Sequence, residues 1–122
     1  MRAYTVGVAA LALESDPKWL DNLLSHHHVP GVPRKRQGIQ RQIPPDSLLV
    51  IAVAQSLIEA LSIPIARALE LAIELVESQG TAEAPPATLR VDVRAIATRL
   101  HERLADAVEG AANLRRGRPR AN

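Results

Sequence analysis

Residues 4–46 constrain this 122-residue chain more than any other stretch, and their centre is Arg34-Lys35-Arg36-Gln37-Gly38-Ile39-Gln40-Arg41. Four cations and no acid surround a glycine there, with two short apolar-faced segments before it and a strongly apolar one after it. A glycine-centred basic segment suits a tight turn that lays cations along an anionic polymer. Two short helices, a basic hairpin and two further helices follow the order of a winged helix-turn-helix. The expected fold is mainly α: a winged helix-turn-helix with a small β-wing and a C-terminal strand-helix appendage. The expected partner is double-stranded DNA.

The local signals are specific. Thr5 suits an N-cap, and Val6, Ala9, Ala10 and Leu13 then recur on one helical face. Ser15-Asp16-Pro17 starts a second helix, with Asp16 as cap and Pro17 at the first helical position. Leu20, Leu23 and Leu24 give that helix its buried side, and the short connector makes the two helices cross sharply. Ile39 and Ile43 flank the return strand of the wing. Pro44-Pro45 opens a third helix over 45–61, apolar nearly all round from Leu48 to Ala54. Ser62-Ile63-Pro64 restarts the chain into a fourth helix, whose Glu70, Glu74 and Glu77 face away from its apolar stripe. Residues 78–87 read as a linker, Thr88–Val91 as a short strand, and Asp92 as the cap of a last helix. The domain reading is 1–77 for the helix-turn-helix unit, 78–87 for the linker, 88–112 for a dimerisation element and 113–122 for a disordered basic tail.

Composition narrows the function classes. There is no cysteine, which excludes thiol catalysis, cysteine metal sensing and disulfide frameworks. Apolar runs are too short to span a membrane; Arg2 with Val6–Leu13 is a weak signal-peptide pattern, better used as a helix. Net charge is +2, but the cations cluster at 34–41 and 115–120 while 46–79 is acidic, so an anionic partner would meet particular surfaces. Trp19 and Tyr4 are the sole aromatics, which disfavours single-strand and RNA modules that stack bases. His26-His27-His28 cannot all face one ion from a regular helix, and no acid or cysteine adjoins them in sequence, so no metal site is assigned. No catalytic arrangement and no cofactor site is read: not an enzyme.

The chain resembles the MerR-like family of winged-helix transcription regulators over roughly residues 4–76. Tyr4-Thr5-Val6-Gly7 with Asp16-Pro17-Lys18 echoes the family's opening pattern, and Arg34-Lys35-Arg36-Gln37-Gly38 echoes its wing. Asp46-Ser47-Leu48 and Ile63-Pro64-Ile65 echo the starts of its third and fourth helices. The chain departs from the family at Asp21 and Asn22, where Arg and Tyr often stand, and in lacking a long dimerisation helix and metal-sensing cysteines.

The expected DNA-binding residues are Thr5, Lys18, Trp19, Asp21, Asn22, Arg34, Lys35, Arg36, Gln37, Gly38 and Arg41. The wing cations would hold phosphates, Asn22 would pair with adenine, and Asp21 would accept from a cytosine amine or face solvent. Trp19 suits packing as well as a DNA contact. Arg116-Gly117-Arg118-Pro119-Arg120 resembles an AT-hook, which adds Arg116 and Arg118 as minor-groove candidates. The stripe Val91, Val93, Ile96, Leu100, Leu104 and Ala107 must dock on its own domain or on a second copy; the neighbouring strand favours a homodimer. The resulting expectation is a dimeric regulator of transcription in the cytoplasm, associated with the nucleoid. Two alternatives stand beside it: an antitoxin-type adaptor using the acidic fourth helix or the C-terminal segment to seat another protein, and an excisionase-like architectural factor.

Overall fold

The computed structural model describes residues 2–33 and 41–117, the last seven of them as backbone alone. The elements run β1 (Tyr4–Thr5), α1 (Val6–Leu13), α2 (Pro17–His26), β2 (Gln42–Ile43), α3 (Pro45–Leu61), α4 (Ile65–Ser78), β3 (Thr81–Ala84), β4 (Ala87–Arg90) and α5 (Val93–Gly117). The protein is mainly helical, with two small antiparallel sheets among the described residues.

The first helix starts where the sequence placed it. Thr5 has extended backbone, φ −72° and ψ 162°, and its hydroxyl accepts a hydrogen bond from Val8 N at 3.2 Å. The helix stops at Glu14, in the left-handed region at φ 55°, and Ser15 N donates back to Ala10 O at 2.9 Å. Asp16 Oδ1 then accepts from Lys18 N at 2.8 Å and Pro17 begins α2, so the connector is three residues long. Leu20 and Leu23 point inward from α2 and hold it against the core.

β1 pairs with β2, Tyr4 opposite Ile43 and Thr5 opposite Gln42. This pairing joins the strand that leads into α1 to the strand that leads into α3. Between α2 and β2 the chain turns at Gly31, where φ is +89° and a Cβ would lie 2.5 Å from Ser47 Oγ. Ser47 Oγ donates to Pro30 O at 2.6 Å, which ties this turn to the first turn of α3.

α3 spans the expected residues, and Leu48, Ile51 and Val53 are wholly enclosed. Leu75 from α4 joins Leu20, Val29 and Ile43 in the same core. That core is continuous from Ala9 to Ala107, so the chain does not divide after residue 77.

Three expectations for the C-terminal third are corrected. Residues 78–87 are not a linker: they hold the end of α4 and most of a β-hairpin, with Ala87 opposite Ala84 across a cis Pro85-Pro86 bond. Ala82 is buried, Glu83 N donates to Glu74 Oε1 at 3.3 Å, and Val91 N donates to Gly80 O at 2.8 Å, which lays the hairpin on α4. The turn residues Pro, Gly and Thr that suggest flexibility in sequence serve a hairpin instead. Second, Val93, Leu100, Leu104 and Ala107 are buried within their own chain, α5 lying on α1 and α3, with Ile96 partly buried beside them. The stripe assigned to dimerisation therefore closes this chain's own core, and Val91 closes the hairpin. The small residues Ala9, Ala10 and Ala12 let α5 approach α1 closely, and Arg103 reaches Glu14 at 3.2 Å. Third, residues 113–117 continue α5, where the sequence suggests disorder. Asp92 caps that helix as expected, Oδ1 accepting from Ala95 N at 3.0 Å.

Candidate nucleic-acid interface

The candidate interface is built on α2. Its inner face is fixed by Leu20 and Leu23, so its outer face is fixed too: Lys18, Asn22 and Ser25 are exposed on it. Lys18 sits in the first turn beside the Asp16 cap. The Asn22 carbonyl accepts from His26 Nδ1 at 2.8 Å, which leaves the Asn22 side chain to the surface. Trp19 is half-buried and packs against the core; with Asn22, His26 and Ile65 it lines a shallow groove. A packing role is therefore observed for Trp19.

Two expected contacts are corrected. Arg41 is not a surface cation: it is 6% exposed, and its Nη1 lies 3.4 Å from both the backbone carbonyl and Oδ1 of Asp21. Asp21 is correspondingly committed to Arg41, so it is not a free acceptor for a base. Burying a guanidinium is costly unless a carboxylate and hydrogen bonds compensate it. Asp21 supplies a carboxylate and a carbonyl, both to Nη1, and the sequence separation of twenty residues hid the pair. Thr5 is half-buried, its hydroxyl engaged as the α1 cap.

Arg34, Lys35, Arg36, Gln37 and Gly38 lie outside the described residues, as does Arg118. The described chain fixes where the basic segment leaves and returns: Pro33 follows the Gly31 turn, and Arg41 is held against α2 by Asp21. Arg116 belongs to the helical backbone of α5, which departs from the extended arm that an AT-hook needs at that residue. Glu70, Glu74 and Glu77 are exposed on α4 as expected, with Arg67 3.2 Å from Glu70.

Sequence reasoning missed the residues that orient α2 from a distance. Gln55 of α3 donates from Nε2 to Leu13 O at 3.0 Å, filling a carbonyl left open at the end of α1. Arg103 and Ser47 act likewise, and only their polarity on otherwise apolar faces hints at it. Among the described residues no group of His, Cys, Asp or Glu is arranged to hold a metal ion, and no helix is long and apolar enough to cross a membrane. No family model, curated protein or solved structure matches the chain.

Proposed function

We propose that the chain is a sequence-specific double-stranded DNA-binding regulator of the MerR-like winged helix-turn-helix kind, working at the nucleoid as a two-fold pair. The observation that carries the reading is α2. It follows α1 after three residues, shows Lys18 and Asn22 on its outer face, and is bridged by Arg41 to the return point of the basic segment. A helix so placed suits the major groove, with Lys18 on the backbone near the helix start and Asn22 on an adenine edge. Arg34, Lys35 and Arg36, tethered between Pro33 and Arg41, would add phosphate contacts beside it. Because the α5 stripe is buried at home, a second copy would have to pair through another surface.

Neutralising the basic segment tests this directly. Arg34→Ala with Arg36→Ala should reduce the slope of log affinity against log salt by about 0.9 per lost phosphate contact. An unchanged slope from a folded variant would take the segment out of the interface, and absence of salt-sensitive duplex binding by the wild type would defeat the reading altogether.

Asn22 should carry sequence choice. Asn22→Ala should cost about 1–3 kcal/mol at a site selected from random DNA and much less at unselected duplex. Equal losses at both would reassign it to a backbone contact.

A further inference from the structure

A cavity of about 490 Å³ opens at the C-terminal end of α2, and its lining brings together Ser25, His27, His28, Val29, Val32 and Arg41. The function proposed above uses none of these as a recognition group. Arg41 is the decisive residue. Its side chain is 4% exposed, yet its contacts with Asp21 are both from Nη1 and both 3.4 Å long. Its Nε is buried with no hydrogen-bond partner. A guanidinium carries five N–H donors in a planar fork, and a buried donor left unpaired is costly. The wall around it adds further donors: imidazole nitrogens of His27 and His28 and the hydroxyl of Ser25. His26 shares the lining, but its Nδ1 is already spent on Asn22 O.

Such a donor-rich wall around a fixed cation suits an acceptor-rich anion. A metal ion is disfavoured at the same place, since the guanidinium would repel it and the described residues of the wall include no carboxylate or thiolate. We propose that this cavity is an oxyanion site that takes a phosphate group, with the Arg41 guanidinium as its fixed charge and Ser25, His27 and His28 completing the shell. Arg–phosphate pairing in a recessed site gains strength from the reduced competition with water. The phosphate has two available sources, a free phosphate ester or the backbone of a bound duplex. The site itself stands independently of the DNA reading, because it is argued from the Arg41 charge and the cavity lining alone.

The test begins without DNA. Inorganic phosphate replaces chloride at constant ionic strength while proton–nitrogen correlation spectra follow residues 25–29 and the imidazoles. Saturable shifts confined to this region are expected. Arg41→Gln should weaken the apparent affinity about tenfold, as expected for loss of one charge-assisted contact. Since that variant removes a buried partner of Asp21 and is liable to unfold, His27→Ala with His28→Ala provides a second variant at positions outside the core; it should weaken binding at least about threefold. Linear, unsaturated shifts would overturn the proposal, and so would an isotherm unchanged in the double histidine variant. The two sources are then separated by adding phosphate to a preformed duplex complex at the same ionic strength. Displacement of duplex that the histidine variant resists assigns the site to a backbone phosphate; phosphate binding without displacement assigns it to a free ester.

Discussion

Leu100→Asp should unfold the protein. Leu100 is 7% exposed in the seam between α5 and α1, beside Ala12, Leu13 and Ala52. Of the two cations that line the same recess, Arg99 and Arg103, the second is already paired with Glu14, and a buried charge without full compensation costs about 3–5 kcal/mol. The lost leucine packing adds to this, and the sum is a large share of a stability on the order of 5–15 kcal/mol. Loss of the helical signal at 25 °C, or a urea midpoint near zero, is the expected result. Glu102→Ala, on the exposed side of the same helix, should change stability by less than about 0.5 kcal/mol. If α5 instead sealed a dimer, Leu100→Asp would give a well-folded monomer. Sedimentation and circular dichroism on the same sample therefore decide between the two.

Leu20→Ala should be the most damaging truncation within α1 and α2. Leu20 is fully enclosed and holds the inner face of α2. Removing three buried carbon atoms and leaving a cavity costs about 2–5 kcal/mol. The denaturant slope should hold while the midpoint falls, since the same surface unfolds. On the proposed reading, duplex affinity extrapolated to the folded fraction should also fall, because α2 loses the anchor that fixes its outer face. An unfolding free energy within about 0.5 kcal/mol of wild type would mean that α2 is not seated on the core in solution.

The sequence was most legible where a local interaction fixes the backbone. Thr5, Asp16 and Asp92 announced three helix starts because a side-chain oxygen within three residues captures a free N–H. Pro44-Pro45 and the Ser62-Ile63-Pro64 break gave the span of α3. The same kind of signal misled at 78–87, where Gly80, Pro85 and Pro86 are as fitting for a tight hairpin as for a loose linker. The alternating signal was weak as well, with Ala82 the sole fully buried residue of the hairpin. The stripe on α5 was visible, but a stripe does not say which surface it meets; three alanines on α1 make the close approach possible. At the candidate interface, Lys18 and Asn22 could be placed from helical phase. Arg41 could not, because a cation beside other cations gives no sign of a carboxylate twenty residues away.

The turn between α1 and α2 has a wider implication. It passes through Glu14 at a positive φ without a glycine. The geometry is buttressed from outside by Gln55 of α3 on Leu13 O and by Arg103 of α5 on Glu14. The pair of helices that would face DNA is thus shaped by residues more than forty and nearly ninety positions downstream. A fragment ending at residue 77 would keep every proposed base-reading side chain and lose one of the braces that set the angle between the helices. On the proposed reading, the unit that meets DNA is therefore not the motif alone but the chain through α5, and the motif without α5 would keep its letters and lose part of its aim.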